Sequence, residues 1–463
     1  MTLKSKFKEA PGFQFVADSL ELMSSAGKRR LLTQPWLNDA QALNREYDRI
    51  EEAILFLNDA DATASINGVR HQLMQMHDIA GTLQSLHSHI LLNEIELFEI
   101  KLFAKLYATA YRFLGEHNRQ SLLATSGADL CAIADQAFSI LDPDNTGMAH
   151  FYIYDSYDSR LAPLRKELKA CNNEDAELFS QQEAIEREVI LRLSDQLHPL
   201  ALSLSEALNQ MAELDLLLAK ATLAKQWNLC RPQLCEAREG LSFLELSNPR
   251  LRHHNETLGL RYQPVDIDLY QGVCFITGAN MAGKTVLLKT IGVAQLMAQF
   301  GMFVPARKAR INLVDDVVLC IGDEQNEMKG LSSFASEIIK ISNTLQRAHN
   351  EHLLVLIDEP ARTTNPIEGK AIVQSLATIL ESKSSFSMIT THYSQLALPC
   401  RRLRVKGFVE SMSSEPLTPQ NINLFMDYSL LPDTTDDVPQ EALRIASILD
   451  CDKEMLDTAR KFL

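Results

Sequence analysis

One stretch of eight residues constrains the fold more than any other feature of this sequence. Residues 278–285 read GANMAGKT and fit the pattern G-x-x-x-x-G-K-[ST]. The apolar run at residues 273–276 predicts a buried strand before the stretch, and residues 286–300 predict a helix after it. In such a strand-to-helix loop, backbone N–H groups face phosphate oxygens and the helix N-terminus adds partial positive charge. The pattern therefore predicts a nucleotide-binding α/β domain.

The residue types in this loop give each position a predicted role. Lys284 is placed to reach the β- and γ-phosphates of ATP, and the Thr285 hydroxyl is placed to ligate Mg²⁺. A chance glycine-rich turn is the alternative, but it does not account for the flanking strand and helix. The predicted nucleotide-binding residues are Gly278, Ala279, Asn280, Met281, Ala282, Gly283, Lys284 and Thr285.

A second apolar strand is predicted at residues 353–357, and two acidic residues follow it. Ligands of open α/β sheets bind at the carboxyl ends of the strands. Asp358 would hold Mg²⁺, and Glu359 would orient or deprotonate the attacking water. Such a sequence is usually only a strand end, but downstream of a phosphate-binding loop the catalytic interpretation is favoured.

Length and composition limit the class of protein. The chain of 463 residues exceeds one hydrophobic core, so two or three domains are expected. No apolar run approaches the roughly 20 residues that span a bilayer, and the N-terminal residues lack the apolar region of a secretory signal. Eight cysteines are scattered without a CxxC pair, which favours free thiols over a disulfide framework. We expect a cytoplasmic protein.

The formal net charge of −15 bears on the partner. Proteins that bind DNA mainly through phosphate contacts usually present a basic surface. Two short basic clusters, at residues 28–30 and 401–404, are interpreted as solvated faces. The charge therefore argues against DNA without excluding binding through a local patch.

Periodicity divides the chain into three predicted regions. Residues 1–120 are predicted to be the first part of a helical core, and residues 121–240 a helical lever or hairpin with a reduced clamp region. From residue 241 to 463, strand and helix patterns alternate as in a nucleotide-binding domain. Asp142 begins a sequence like a calcium loop, but Ile153 stands where the bidentate glutamate is required, so a plain turn is predicted.

Further motifs resemble the ATPase domain of the MutS family, a branch of the ABC-type ATPases. The residues around the phosphate loop, 276–289, are followed by QFGMFVPA at 299–306, and GLSSF at 330–334 resembles the signature loop of the family, with Glu337 after it. Residues 358–369 resemble its Walker B segment, 391–393 its switch histidine and 438–463 its closing helix-turn-helix. The resemblance is specific only from about residue 260 onward.

This resemblance implies an α/β P-loop ATPase domain of ABC type, C-terminal to an all-α core and lever. It also implies a homodimer in which each nucleotide lies between one P-loop and the signature loop of the partner subunit. Ser332 would act in trans on the γ-phosphate, and His392 would report its presence. ATP would hold the dimer interface closed, and hydrolysis would release it.

The departures from the family pattern concern DNA rather than nucleotide. The chain has no room for the mismatch-reading and connector domains, and residues 165–200 are too few for a DNA clamp. After the Walker B acids, Ala361 and Thr363 stand where the family has glycine. We therefore expect an intact nucleotide site whose coupling to DNA differs from that of the family.

Three functions are compatible with these observations. The first, implied by the resemblance, is an ATPase that acts on mismatched or branched DNA in repair or recombination. The second is an ATP-dependent remodeller or reactivase of a protein partner, such as an adenosylcobalamin-dependent aminomutase, which the short clamp and acidic charge favour. The third is a regulatory module that scarcely hydrolyses ATP. Intact Lys284, Asp358 and Glu359 argue against this third function.

Overall fold

The computed structural model divides the chain into two compact units. One consists of Met1–Ser19, Pro35–Tyr47 and Leu223–Leu463, and the other of Leu20–Gln34 and Asp48–Thr222. We call the first the α/β unit and the second the helical unit. The structure describes residues 2–123, 127–146, 153–170, 175–235, 239–278, 282–321, 333–393, 396, 398–409, 422–433, 443, 446 and 451–462.

Helices account for nearly all regular structure before residue 230. They are α1 (Leu3–Lys6), α2 (Pro11–Asp18), α3 (Ser25–Thr33), α4 (Ala40–Asn58), α5 (Thr63–Gln75), α6 (Ala80–His87), α7 (Glu94–Gly115), α8 (Gly127–Leu141), α9 (Leu161–Ala170), α10 (Ala176–Leu197) and α11 (Ala201–Gln226). Short 3₁₀ turns lie at Gln120–Leu122, Asp155–Tyr157 and His198–Leu200.

Helix α7 shows why the helical unit folds as it does. Asn93 accepts a hydrogen bond from the Glu96 N–H while the Glu96 side chain accepts from the Asn93 N–H, so a capping box starts the helix. Leu97, Ile100 and Phe103 are among its buried residues, at three-residue spacing on one face. The burial of this apolar face, rather than helix propensity alone, stabilises the helix.

Two buried carboxylates of the helical unit have local partners. Asp142 lies 3.2 Å from the Lys101 ammonium, which also donates to the Tyr154 hydroxyl at 3.1 Å. Asp215, on α11, accepts hydrogen bonds from the Met23 and Ser24 backbone N–H groups and from the Ser24 hydroxyl. Both carboxylates are therefore satisfied inside the unit.

The α/β unit contains two sheets and the remaining helices. The strands are β1 (Gln233–Leu234), β2 (Leu241–Leu246), β3 (Val265–Leu269), β4 (Gly272–Thr277), β5 (Lys308–Ile311), β6 (Asp316–Cys320), β7 (Leu353–Ile357), β8 (Phe386–Thr390), β9 (Arg401–Phe408) and β10 (Met426–Pro432). The helices are α12 (Pro249–Thr257), α13 (Lys284–Gln299), α14 (Ser333–Arg347), α15 (Pro366–Glu381) and α16 (Lys453–Arg460), with a 3₁₀ turn at Ile422–Phe425.

The larger sheet has the strand order β10-β9-β4-β8-β7-β6, and only β10 is antiparallel to its neighbour. Every residue of β6, β7 and β8 is buried, as expected for parallel strands covered on both faces. The smaller sheet has the order β1-β5-β2-β3. Because β4, β7 and β8 run parallel, their carboxyl ends lie at one edge of the larger sheet.

Residues from the start of the chain complete the α/β unit. The Lys6 ammonium forms an ion pair with Asp316 at 2.5 Å, and the Phe13 ring stacks on Phe300 with centroids 5.4 Å apart. The Tyr47 hydroxyl donates to the Ala298 carbonyl oxygen at 2.9 Å. The contacts with Phe300 and Ala298 lie at the C-terminal end of α13, the helix that follows the glycine-rich loop.

The fold class expected from the sequence is confirmed: an all-helical region precedes an α/β domain. The region predicted as a helical lever or hairpin, residues 121–240, contains helices α8 to α11 and the short strand β1. Of the predicted closing helix-turn-helix at residues 438–463, the structure describes residues 443, 446 and 451–462, and this part contains α16. In the described part of the chain, no helix combines the length and apolarity needed to cross a membrane.

Candidate nucleotide-binding site

Three polar side chains meet where β4, β7 and β8 end. The Thr285 hydroxyl, in the first turn of α13, donates a 2.6 Å hydrogen bond to one oxygen of Asp358. The Thr390 hydroxyl, at the end of β8, donates a 2.7 Å hydrogen bond to the other oxygen. The Asp358 carboxylate is thus fixed from both sides by elements that the parallel register brings together.

Lys284 lies beside this carboxylate and is almost completely buried. Its ammonium donates to the Gly278 carbonyl oxygen at 2.8 Å and lies 3.6 Å from Glu359. Gly278 has φ of +134° and Gly283 has φ of +80°, values that only glycine adopts at little cost. The two glycines bend the chain so that Lys284 turns back toward the loop.

The turn after β7 has an uncommon backbone. Glu359 has φ of +44° and Ala361 has φ of +60°, each costing on the order of 1 kcal/mol for a residue with a side chain. The Glu359 N–H donates to the Thr390 hydroxyl at 2.8 Å. The Ala361 N–H donates to Glu337 at 3.2 Å, and the Ala361 carbonyl oxygen accepts from the Tyr393 hydroxyl at 3.2 Å. These hydrogen bonds hold the strained turn in place.

The structure brings together several of the residues singled out in the sequence. Lys284, Thr285, Asp358 and Glu359 lie within one cluster, joined by hydrogen bonds through Thr390 and by the ion pair of Lys284 with Glu359. His392 follows β8 closely, and its ring lies against that of Tyr393 with centroids 4.3 Å apart. Four predicted residues lie outside the described part of the chain: Ala279, Asn280, Met281 and Ser332.

A cavity of about 390 Å³ adjoins the loop and shares Ala282 and Gly283 with it. Tyr262 and Tyr428 contribute to its walls, together with Val286 of α13. Burial raises the pKa of both tyrosines, so their rings remain neutral. Aromatic and aliphatic walls beside a phosphate-binding loop suit the flat faces of an aromatic ring such as a nucleobase. Sequence reasoning did not find these tyrosines, because neither lies in a recognisable motif.

The donor set at the strand edge fits magnesium. Mg²⁺ takes oxygen ligands and is usually held by one or two carboxylates together with substrate phosphates. Thr285 and Asp358 supply a hydroxyl and a carboxylate oxygen that already lie 2.6 Å apart. Within the described residues, no group of three or more His, Cys, Asp or Glu could hold a metal ion, so an ion at this edge would require phosphate oxygens as well.

The basic cluster at residues 401–404 lies on β9, beside a second cavity of about 750 Å³. The Arg401 guanidinium stands 5.1 Å from the Tyr270 ring centroid and donates to the Asp268 carbonyl oxygen. Arg307, also at this cavity, forms an ion pair with Glu245 at 3.2 Å. Because Asp266 and Asp268 also line the cavity, its charge is mixed.

The parallel sheet, the glycine-rich loop and the acids at the strand edge define an α/β P-loop nucleotide-binding domain. Residues 274–463 match MutS domain V. Through this domain the C-terminal part of the chain belongs to the MutS family, and MutS domain V is an ATPase domain.

Similar proteins match the chain over about half of its length. It is 36% identical over 230 residues to "Endonuclease MutS2" of Lactobacillus helveticus, a match that covers 49% of this chain and 28% of that protein. It is 39% identical over 225 residues to "Endonuclease MutS2" of Thermomicrobium roseum, covering 46% and 28%. For the protein of the same name from Thermus thermophilus, identity is 38% over 191 residues, covering 41% and 24%. The chain thus spans less than a third of these relatives.

Proposed function

We propose that this chain is an ATP-hydrolysing homodimer whose interface is gated by nucleotide. The observation that carries the proposal is the convergence of Lys284, Thr285, Asp358 and Glu359 at one edge of the parallel sheet. The match to MutS domain V supports ATP as the nucleotide, since that domain is an ATPase domain. The cavity beside Gly283, with its aromatic and aliphatic walls, supports a bound base as well as bound phosphates.

The loop residues would bind the phosphates. The Lys284 ammonium, which donates to the Gly278 carbonyl oxygen, would exchange that partner for β- and γ-phosphate oxygens. Backbone N–H groups of residues 278–285 would supply the remaining donors. Thr285 and Asp358 would hold Mg²⁺, which when bound neutralises phosphate charge.

Glu359 would act on the attacking water. Its carboxylate is 14% exposed, so water can reach it from the open edge of the site. An ionised carboxylate there can accept a hydrogen bond from the water and take its proton as the water oxygen bonds to the γ-phosphorus and the bond from that phosphorus to the ADP oxygen breaks. His392 would sense the γ-phosphate, and Ser332 would contact the nucleotide held by the partner subunit. A C₂ dimer makes the two composite sites equivalent.

The first test of this proposal is the Glu359→Gln substitution. We expect ATP binding to persist while turnover falls about 100-fold or more, because the amide cannot take the proton. Binding of a fluorescent ATP analogue and release of phosphate measure the two properties separately. Glu368→Gln, an exposed glutamate in the first turn of α15, is the matched control. Turnover at the wild-type rate in Glu359→Gln would refute the assignment of the base.

For the client of the ATPase we propose mismatched or branched DNA, with a protein partner such as an adenosylcobalamin-dependent aminomutase as the alternative. The family match and the MutS2 relatives support DNA. The net charge of −15 and the mixed charge of the cavity at Arg401 favour the protein partner. The proposal does not include the nuclease activity in the relatives' name, because the matches cover less than a third of those proteins. In either case we propose a cytoplasmic location.

Binding of fluorescent homoduplex, mismatched and four-way-junction DNA, with and without a non-hydrolysable ATP analogue, separates these clients. Tight binding that prefers an altered DNA structure and responds to nucleotide supports DNA. The measurement needs a salt series, since phosphate contacts weaken steeply with salt. Absence of binding at physiological salt would favour the protein client, to be trapped with Glu359→Gln.

A further inference from the structure

The turn formed by Glu359, Pro360 and Ala361 has features that nucleotide binding alone does not explain. Two of its three residues have positive φ although neither is glycine. A strained turn persists only where its surroundings over-determine it. The hydrogen bonds around this turn therefore determine how the Glu359 carboxylate is oriented.

Thr390 makes two hydrogen bonds that join both acids of the site. Its hydroxyl donates to Asp358 at 2.7 Å and accepts from the Glu359 N–H at 2.8 Å. Thr390 is completely buried, so water does not compete for this hydroxyl. The Thr390 side chain thus fixes both the orientation of the Asp358 carboxylate and the direction of the backbone at Glu359.

The far end of the turn is held by two other elements. Glu337 comes from α14, which begins at Ser333, and accepts from the Ala361 N–H. Tyr393 follows β8 and donates to the Ala361 carbonyl oxygen. Burial and, secondarily, the Glu337 carboxylate raise the pKa of Tyr393, which keeps its hydroxyl a donor. A Cβ atom at position 369 would lie only 2.1 Å from the Tyr393 hydroxyl oxygen, so this arrangement of Tyr393 requires the glycine at that position.

We propose that Thr390, Glu337 and Tyr393 are positioning residues of ATP hydrolysis, which hold the strained turn 359–361 so that the Glu359 carboxylate points at the reacting phosphate. The inference rests on the proposed role of Glu359. Since Tyr393 adjoins His392 and Glu337 lies on the helix after residue 332, a movement of either element would reach Glu359 through Ala361. The turn would then link hydrolysis to the proposed γ-phosphate sensor, His392, and to the helix that follows the proposed trans contact, Ser332.

The test separates positioning from folding. Thr390→Val keeps the shape and removes the hydroxyl, and we expect kcat to fall 10- to 100-fold while KM for ATP changes less than 3-fold, as for a misaimed catalytic group. Thr390→Ser restores the hydroxyl and should recover most of the rate. Tyr393→Phe should lower kcat about 3- to 10-fold with the same unchanged KM. Thr378→Val, an exposed threonine on α15, is the matched control.

Each outcome of this test bears on the inference. Wild-type kcat in both Thr390→Val and Tyr393→Phe would overturn it, as would equal losses in Thr390→Val and Thr390→Ser. If Thr390→Val does not fold, Tyr393→Phe decides, because it removes a single oxygen at a half-buried position. Glu359→Gln, measured in parallel, distinguishes the two failures. If Glu359→Gln loses turnover while the Thr390 and Tyr393 variants keep the wild-type rate, only the positioning inference is refuted. If Glu359→Gln itself keeps the wild-type rate, the proposed role of Glu359 in hydrolysis is refuted.

Discussion

Each unit of this molecule contains a buried lysine beside a carboxylate. In the helical unit, Lys101 and Asp142 are 3.2 Å apart, with side chains 3% and 0% exposed. In the α/β unit, Lys284 and Glu359 are 3.6 Å apart, with side chains 5% and 14% exposed. By distance and burial alone, the two ion pairs are therefore alike.

Their surroundings differ. Asp142 also accepts from the Thr146 N–H and hydroxyl, and Lys101 also donates to Tyr154, so these groups have partners within the helical core. Lys284 and Glu359 instead lie at the carboxyl ends of parallel strands, beside a glycine-rich loop and a cavity. The comparison teaches that the charges of a buried ion pair do not make it a candidate site. Its position at the carboxyl ends of parallel strands, beside a loop and a cavity, does.

The largest effect that tests this contrast is expected for Lys284→Ala. Nucleotide binding and turnover should fall at least about 100-fold, because the phosphates lose a direct cationic partner. The melting temperature should change little. Lys289→Ala, an exposed lysine on the same helix, should leave binding unchanged. Calorimetric titration with ATP and thermal unfolding measure the two properties, and unfolding of Lys284→Ala would break the contrast.

In the helical unit the expected effect is on stability. Asp142→Ala leaves the Lys101 ammonium buried without its counter-ion and should cost about 3–5 kcal/mol of unfolding free energy. The double variant Lys101→Met with Asp142→Leu should recover most of this loss, because no unpaired charge remains. Urea denaturation measures both. A normal unfolding midpoint with lost ATP turnover in Asp142→Ala would show that this pair serves the reaction after all.

The smallest expected effects are two opposite pH dependences. Burial raises the pKa of the Asp215 carboxyl despite hydrogen bonds from Ser24 and Met23. The contribution of Asp215 to stability is therefore present below pH 3.8, its ordinary pKa, and is lost as pH rises through the raised pKa. Burial acts in the same direction on Asp427, but hydrogen bonds from Lys406, Gln263 and Ser429 outweigh it and hold the pKa low. The contribution of Asp427 is present above 3.8 and is lost as pH falls through the lowered pKa.

Urea midpoints between pH 3 and 6 should show these signs. Relative to Asp215→Asn, the wild type should lose stability as pH rises; relative to Asp427→Asn, it should gain stability. For Asp427 the difference should be about 1 kcal/mol, since Lys406 is 44% exposed and its interaction is screened by water. For Asp215 the prediction is the sign of the slope. Asp129→Asn serves as an exposed control. If stability changed with pH in the same direction for both residues, the direction of the pKa shift assigned to Asp215 or to Asp427 would be wrong.

Much of the site could be predicted because its signals are local. The glycine spacing before Lys284 and the apolar run before Asp358 each specify a strand end, and parallel pairing then brings strand ends together. Thr390 carries no such signal, because a threonine at the end of an apolar strand is ordinary. The left-handed conformation of Ala361 runs against its residue type and follows from tertiary hydrogen bonds. Tyr262 and Tyr428 are far apart in sequence and meet only in the fold.

The contacts of the N-terminal residues have a consequence for any attempt to isolate the ATPase domain. The Lys6 ammonium reaches the Val317 carbonyl oxygen across 311 positions of sequence, so a very long loop must close before this part of the core exists. A fragment cut at residue 241 would lose the Lys6 partner of Asp316 and uncover the Phe300 ring that Phe13 covers. The domain is continuous in space but discontinuous in sequence, and joining residues 2–19 back to such a fragment through a linker would be the way to restore it.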